Sequence, residues 1–185
     1  MQDYREFIDE VLVDEKNIEK RVAELGAQIS RAYAGQELLI VCLLRGGLTF
    51  TADLTRHLTI SHTLDCMSLS SYGVGQYASS GNVRVNLDLM TNIEGLNVLL
   101  VEDIVDSGRT LAHVLQMLKT REPKSLKVCV LLDKKYRREV PVEVDYVGFD
   151  VPDRYVFGYG IDIDEHYRHL RFIASADMQK YRKTL

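Results

Sequence analysis

Three carboxylates follow a run of apolar residues in the middle of the chain. Val98–Val101 is entirely apolar, Glu102 and Asp103 come directly after it, and Asp106 follows three residues later. Neighbouring carboxylates accept hydrogen bonds from adjacent hydroxyl groups, such as those of a ribose ring, and they can hold a Mg²⁺ ion. The next residues are small, hydroxylated or cationic: Ser107, Gly108, Arg109 and Thr110. A loop of this kind can bind a phosphate through its backbone N–H groups, so the stretch favours a phosphorylated sugar as ligand.

The surrounding pattern predicts a strand before this loop and a helix after it. The apolar run is typical of a strand buried on both faces of a parallel sheet, and we expect it to end at Glu102 and Asp103. Apolar residues then recur at helical spacing, at Leu111, Val114, Leu115 and Leu118. Ligands of parallel sheets bind beyond the carboxyl ends of the strands, where a helix N-terminus attracts anions. A sheet edge with a polar turn is the alternative, but it leaves the three carboxylates without a role.

Two other apolar runs lead into polar residues that belong at the same edge of a parallel sheet. Leu38–Leu44 precedes Arg45–Gly47, in which a cation and two glycines would let backbone approach an anion closely. Taken alone, this motif is better explained as a tight turn with an incidental arginine. Leu126–Leu132 precedes Lys134, which could donate a hydrogen bond to a carbonyl of the ligand.

A long stretch rich in glycine and serine lies between two predicted strands. It covers Ser70–Asn82 and follows a strand predicted around Leu64–Leu69. Loops of this length inside a domain are usually functional lids or disordered segments. We interpret it as a lid with glycine hinges that excludes water from the site, and a flexible connection is the alternative.

Length, composition and charge favour one domain in the cytoplasm. The chain has 185 residues, of which 46% are hydrophobic, and its net charge of −4 gives no overall electrostatic reason to bind nucleic acid or an anionic membrane. No apolar run approaches the ~20 residues that span a bilayer, and the first residues are too polar for a secretory signal. We interpret all three cysteines as structural: Cys42, Cys66 and Cys129.

The two ends of the chain depart from the strand–helix alternation. Residues 1–13 are too few to form a core of their own, and aromatic residues and glycines alternate in Pro152–Asp162. We predict a hairpin-like cap at 152–162 that packs against residues 1–13. The expected architecture is therefore a single 185-residue domain with a core of about 14–150 and a small hood from about 1–13 and 151–185.

These segments resemble the hypoxanthine-guanine phosphoribosyltransferase family, in the family's order and across nearly the whole chain. The matching segments are Leu44–Gly47, Ser71-Tyr72, Val101–Thr110, Leu131–Lys134 and Val147–Asp162. The resemblance implies the type I phosphoribosyltransferase fold, an α/β fold with a central, mostly parallel sheet flanked by helices. It also implies that a 6-oxopurine reacts with 5-phosphoribosyl 1-pyrophosphate (PRPP) to give a nucleoside 5′-monophosphate and pyrophosphate.

The resemblance implies roles for the residues that would hold PRPP. Glu102 and Asp103 would hold the ribose hydroxyls and Mg²⁺, and Asp106–Thr110 would cradle the 5′-phosphate through Asp106, Ser107, Gly108, Arg109 and Thr110. Arg45 and Gly46 would contact pyrophosphate, with Arg168 as a second cation. The family often has lysine where Arg45 stands, and it also allows a cis peptide after Leu44.

The resemblance also implies roles around the purine. Asp106 would act as general base at N7, and Lys134 would donate to the 6-oxo group. Tyr155 would stack on the purine, where many relatives carry phenylalanine. The remaining implied roles are main-chain contacts from Val156, a second Mg²⁺ held by Asp162, and a lid closed by Ser71 and Tyr72.

Two other functions stay open at this point. A phosphoribosyltransferase for xanthine or a pyrimidine differs only in base selectivity, which depends on main-chain groups. An RNA-binding regulator on the same fold is supported only by the basic residues within 134–138. We expect PRPP and a 6-oxopurine as ligands, no nucleic acid or membrane partner, and a homo-oligomer, dimer or tetramer, as is usual for the family.

Overall fold

The apolar runs predicted from the sequence form the centre of a six-stranded sheet. In this computed structural model, which describes residues 3–71 and 83–183, the elements in chain order are β1 (Ile8–Val13), α1 (Glu15–Ala32), β2 (Leu38–Leu44), α2 (Gly47–Arg56), β3 (His62–Ser71), β4 (Val83–Leu87), β5 (Asn97–Val105), α3 (Arg109–Lys119), β6 (Ser125–Asp133), β7 (Tyr146–Asp150), β8 (Val156–Phe157), β9 (Ile173–Ala176) and α4 (Met178–Lys183). The large sheet has the order β4-β3-β2-β5-β6-β7. Its strands are parallel except for β4, which pairs antiparallel with β3. The predicted fold class is therefore confirmed.

Helices cover both faces of this sheet. Helix α1 begins directly after Asp14, whose carboxylate accepts a hydrogen bond of 2.9 Å from the N–H of Asn17. Helices α1 and α2 pack on one face through residues such as Leu25 and Phe50, and α3 packs on the other through Val114. Because both faces are covered, strands β2 and β5 are apolar along most of their length.

A second, three-stranded sheet forms the hood, a name that we keep for β1, β8, β9 and the loop 158–172. Its order is β1-β9-β8, and both pairings are antiparallel. Within the predicted hairpin-like cap at 152–162, only Gly158 and Ile161 form an antiparallel bridge, and strand β8 pairs instead with β9. The predicted packing of this segment against residues 1–13 is present, since Phe157 contacts Phe7. The pairing of β8 with β9 buries apolar side chains in a small core that the hood strands enclose, where the ring centroids of Phe7 and Phe157 lie 5.6 Å apart.

The carboxylates in the middle of the chain lie inside a strand and not after it. Strand β5 was expected to end at Glu102 and Asp103, but its pairing with β6 continues to Val105. Its pairing with β2 stops at Val101. Beyond that residue the loop that follows β2 takes the place of a paired strand beside β5, and this part of β5 borders the candidate site. Within the described residues, none of the helices combines the length and apolarity needed to cross a membrane.

Candidate active site

The loop after β2 closes against the acidic end of β5. A Cβ atom on Gly46 would lie only 1.7 Å from Oδ2 of Asp103, so no larger residue fits without moving that carboxylate. Gly160 of the hood approaches the same loop, since its own Cβ would lie 2.4 Å from the carbonyl oxygen of Gly46. The peptide bond between Leu44 and Arg45 is cis, as the resemblance allowed. Gly46 therefore lies between the side chain of Asp103 and the backbone of Gly160.

Glu102 and Asp103 form a crowded pair of carboxylates. Asp103 Oδ1 accepts a hydrogen bond of 2.8 Å from the N–H of Ile104, and Glu102 Oε1 accepts one of 3.2 Å from the N–H of Asp103. Burial of Glu102 and the neighbouring Asp103 carboxylate raise the pKa of Glu102 well above its ordinary value. A cation at this position would relieve the repulsion between the two groups.

The donor set fits a magnesium ion that shares its coordination with a substrate. Mg²⁺ prefers oxygen ligands and is usually held by one or two carboxylates together with phosphate oxygens and water. In the part of the chain that the structure describes, no cluster of three or more His, Cys, Asp or Glu residues could hold a metal. Glu102 and Asp103 therefore suit an ion that arrives with an anionic ligand better than a closed structural metal site.

The predicted phosphate loop lies between β5 and α3. Gly108 takes φ +82°, and a Cβ there would lie 2.6 Å from the carbonyl oxygen of Val140. The carbonyl oxygen of Ser107 accepts hydrogen bonds from the N–H groups of Glu139 and Val140, at 3.0 and 3.1 Å. Gly108, the N-cap residue of α3, has no side chain, and the N–H of Arg109 donates a hydrogen bond of 3.4 Å to Ser107 Oγ. The N-terminus of α3 carries the positive end of the helix dipole, which favours an anion.

Lys134 and Asp106 face each other beside this loop. Lys134 is buried, its N–H donates to the carbonyl oxygen of Val105 at 3.0 Å, and its Nζ lies 3.5 Å from Asp106 Oδ2. Arg137 Nε lies 2.8 Å from Asp106 Oδ1. The two oxygens of the Asp106 carboxylate therefore face two different cations, Lys134 and Arg137.

Two adjacent cavities contain eleven of the fourteen predicted site residues outside the lid, and the other three, Ser107, Gly108 and Arg109, line neither cavity. The first has a volume of about 520 Å³, and its lining includes Asp106, Lys134, Tyr155, Val156 and Asp162. The second has a volume of about 490 Å³, and its lining includes Arg45, Gly46, Glu102, Asp103, Thr110, Asp162 and Arg168. Asp162 lines both, so the two cavities meet at this residue.

Arg168 is fixed by contacts within the hood. Its Nη1 donates to the carbonyl oxygen of Gly160 at 2.8 Å, and its Nη2 lies 2.8 Å from Asp162 Oδ1. The structure thus brings Arg168 to the second cavity, as the resemblance implied. The lid prediction stays a prediction, since Tyr72 lies outside the described residues and Ser71 is described only as the end of β3.

Two charged residues near the cavities were not singled out from the sequence. Arg137 was interpreted only as part of a basic loop, and Glu165 was not considered at all. Glu165 contacts both Arg45 and Arg168. Its only local signal is the i,i+3 spacing to Arg168, because Arg45 lies 120 positions away in the chain.

Comparison with known proteins identifies the family. Residues 10–166 match the model of the phosphoribosyl transferase domain, and the chain belongs to this family. Among its relatives is the hypoxanthine phosphoribosyltransferase of Escherichia coli strain K12, which is 49% identical over 166 residues that cover 89% of this chain and 93% of the relative. The hypoxanthine-guanine phosphoribosyltransferase of Streptococcus thermophilus strain CNRZ 1066 is 41% identical over 95% of this chain and 97% of the relative.

Solved structures give the same result. A crystal structure of a hypoxanthine-guanine phosphoribosyltransferase from Bacillus anthracis superposes with a TM-score of 0.86 at 45% identity, covering 91% of this chain and 98% of that one. A hypoxanthine phosphoribosyl transferase from Trypanosoma cruzi superposes with a TM-score of 0.90 at 39% identity, covering 100% and 98%. The relatives therefore share both the length and the fold of this chain.

Proposed function

We propose that this enzyme transfers the 5-phosphoribosyl group of PRPP to N9 of hypoxanthine or guanine, giving IMP or GMP and pyrophosphate. The observation that carries this proposal is the pair of cavities that meet at Asp162. One contains a carboxylate pair and two arginines, which suit a sugar diphosphate. The other contains a buried lysine opposite a carboxylate, which suits a heterocycle that has both a carbonyl and an N–H group. The names of its relatives support a 6-oxopurine and a role in purine salvage.

Glu102 and Asp103 would hold one Mg²⁺ and Asp162 a second, each together with oxygens of the ligand, and such ions would supply positive charge that neutralises a leaving diphosphate. Arg45 and Arg168 bind the same diphosphate, and Gly46 lets the backbone of its loop approach it. As the bond to C1 of the ribose breaks, positive charge develops on the sugar, as in glycoside hydrolysis. Fixed charges that face this transition state lower its free energy.

The sugar phosphate is held at the end of β5. Glu102 and Asp103 accept hydrogen bonds from the ribose hydroxyls, and their negative charge stabilises the electron-poor ring. The 5′-phosphate binds to the loop that leads into α3, where Ser107, Gly108, Arg109 and Thr110 surround the N-terminus of the helix. Closure of a lid that contains Ser71 and Tyr72 keeps water from capturing the sugar.

The purine binds in the cavity that contains Lys134. Its 6-oxo group accepts a hydrogen bond from Lys134 Nζ, and its N7–H donates to Asp106. The position of Asp106 in the lining of this cavity, with its Oδ2 3.5 Å from Lys134 Nζ, supports this acceptor role. Removal of the N7 proton raises the nucleophilicity of N9, a general-base effect typically worth about 10²–10⁴-fold. Tyr155 stacks on the ring, and the main chain of Val156 contacts its edge.

The structure disfavours the RNA-binding alternative. The four cations within 134–138 pair with acidic side chains of the same chain: Lys134 and Arg137 with Asp106, Arg137 also with Asp153, Lys135 with Asp150, and Arg138 with Asp133. A phosphate backbone would have to break these contacts, so the basic loop is largely neutralised. We further propose a cytoplasmic homo-oligomer, dimer or tetramer, with PRPP and a 6-oxopurine as its ligands.

A panel of bases tests the proposed function. Pyrophosphate release from PRPP is measured with hypoxanthine, guanine, xanthine, adenine and uracil side by side, with Mg²⁺ and with EDTA. We expect release with hypoxanthine or guanine to exceed release with adenine or uracil by about 10²-fold or more, because Lys134 finds no 6-oxo group in adenine. EDTA should abolish it. Preferred turnover of xanthine or uracil would contradict the proposed base, and no release with any base would contradict the activity.

A further inference from the structure

Glu165 bridges Arg45 and Arg168, the two arginines that line the second cavity, which we call the diphosphate cavity. Its Oε1 lies 2.5 Å from Arg45 Nη2, and its Oε2 lies 3.0 Å from Arg168 Nη2. Each carboxylate oxygen thus contacts a different guanidinium group. Guanidinium groups bind carboxylate and phosphate oxygens with the same hydrogen-bond geometry. The carboxylate of Glu165 therefore makes the kind of contacts that a phosphate group bound to both arginines would make.

The hood loop holds this carboxylate in place. Glu165 has φ +69° and Asp164 has φ +49°, a backbone region that residues with side chains rarely adopt. The N–H of Glu165 donates a hydrogen bond of 2.8 Å to Asp162 Oδ2, which fixes the turn. Arg168 is held independently by the carbonyl oxygen of Gly160 at 2.8 Å. The bridge therefore depends on the conformation of the loop as well as on the attraction between flexible side chains.

The contacts leave the arginines neutralised when no ligand is bound. Arg45 and Arg168 carry two positive charges, and Asp162 and Glu165, which contact them, carry two negative charges. A diphosphate must displace at least one carboxylate to gain both cations. If Asp162 takes part in binding Mg²⁺, Glu165 is the remaining carboxylate that competes directly with the diphosphate.

We propose that Glu165 is an affinity-determining residue, an internal carboxylate that competes with the diphosphate for Arg45 and Arg168. It weakens the binding of PRPP and of the product pyrophosphate alike, and it returns to the arginines as pyrophosphate leaves. This inference rests on the proposed function, since it takes both arginines as diphosphate ligands. A residue with this role tunes substrate affinity and product release, and it has no part in the bond-breaking step.

The expected effect is moderate because the ion pairs are exposed. The side chains of Arg45 and Glu165 are 67% and 56% exposed, and exposed pairs change equilibria by small factors. For Glu165→Gln, which keeps the size of the side chain and removes its charge, we expect the Kd of pyrophosphate to fall about two- to tenfold. The Ki of pyrophosphate as a product inhibitor should fall by a similar factor.

Isothermal titration with pyrophosphate, at fixed Mg²⁺ and with EDTA, tests the inference on four proteins. They are the wild type, Glu165→Gln, Glu24→Gln and Arg45→Ala. Glu24 is the matched control, because it forms an exposed ion pair with Arg21 at 2.9 Å and lines neither cavity. We expect tighter binding only in Glu165→Gln, and the gain should shrink at high salt because exposed ion pairs are screened.

The outcomes separate this inference from the proposed function. If Arg45→Ala weakens pyrophosphate binding and Glu165→Gln leaves it unchanged or weaker, the competing role is wrong and the diphosphate site stands. Weaker binding in Glu165→Gln would mean that Glu165 orders the arginines for the ligand. If Arg45→Ala does not weaken binding, the proposed role of Arg45 in the diphosphate site is wrong, and the inference is overturned with it.

Discussion

Replacement of Gly46 by alanine tests whether the contact between the loop after β2 and strand β5 positions Asp103, a carboxylate of the proposed site. The added Cβ would lie 1.7 Å from Asp103 Oδ2 and 2.5 Å from its Cγ, while Cβ atoms rarely approach other atoms within 3.0 Å. The Asp103 carboxylate must therefore retreat by about 1.3 Å or turn away from the cavity. A misplacement of about 1 Å can cost about 10²-fold in rate, which corresponds to about 2.7 kcal/mol of transition-state stabilisation.

We therefore expect Gly46→Ala to lower kcat/KM for PRPP by about 10²-fold. The clash involves a side chain that can move toward open space, so the loss of folding stability should stay within about 1–3 kcal/mol. Steady-state kinetics with PRPP as the varied substrate measures the first effect, and thermal unfolding measures the second. Together they distinguish a displaced carboxylate from a protein that no longer folds.

Gly47→Ala is the matched control for this experiment. The nearest atom to its added Cβ would be the carbonyl oxygen of Val101 at 3.2 Å, so a shift of a few tenths of an ångström accommodates it. We expect its kcat/KM to stay within about fivefold of the wild type. If Gly46→Ala also stays within that range while it folds normally, the position of Asp103 does not matter for the reaction and our reasoning is refuted.

Three further substitutions test single roles. Asp106→Asn should lower kcat by about 10²–10⁴-fold and change the Kd of PRPP little, and unchanged turnover in stopped-flow assays would remove Asp106 from the mechanism. Lys134→Met should raise the KM of the purine by about 10²-fold and spare that of PRPP, and an equal loss for both substrates in steady-state kinetics would contradict its role. Glu102→Gln should raise the Tm of the metal-free protein at pH 7. Because the pKa of Glu102 is raised on folding, its contribution to stability is present below its ordinary pKa of about 4.3 and is lost as pH rises through the raised value. The gain should therefore disappear near pH 4 in thermal scans with EDTA, and a lower Tm at pH 7 would contradict the expected repulsion with Asp103.

Local patterns in the sequence were sufficient to predict most strands of the large sheet. The runs at Leu38–Leu44 and Val98–Val101 are continuous and apolar because both faces of the sheet are covered, and such runs have few other uses in a domain of this size. The helical spacing of Leu111, Val114 and Leu118 predicted α3 because one face of this helix packs on the sheet. These signals depend on neighbours in the chain, so the sequence contains them directly.

Strand ends, strand pairings and ion pairs that depend on partners far along the chain were not predicted from the sequence. The end of β5 could not be predicted, since its last residues are held by β6 after β2 has ended. The partner of β8 was missed for the same reason, because β9, which begins 16 positions after the end of β8, supplies its pairing. The bridge from Glu165 to Arg45 is a third case, since a charge gives no sign of a distant partner.

The short distance between Asp103 and Asp106 connects the two halves of the proposed site. The end of β5 places Asp103 in the diphosphate cavity and Asp106 in the cavity that contains Lys134. Only Ile104 and Val105 lie between the two residues. At about 3.3 Å per residue, extended chain separates the Cα atoms of the two residues by roughly 10 Å. This spacing leaves room for a ribose whose anomeric carbon has the departing diphosphate on one side and the incoming base on the other. An insertion in this segment would separate the two groups even if each kept its own contacts, so the reaction requires the length of this strand end as well as the identity of its residues.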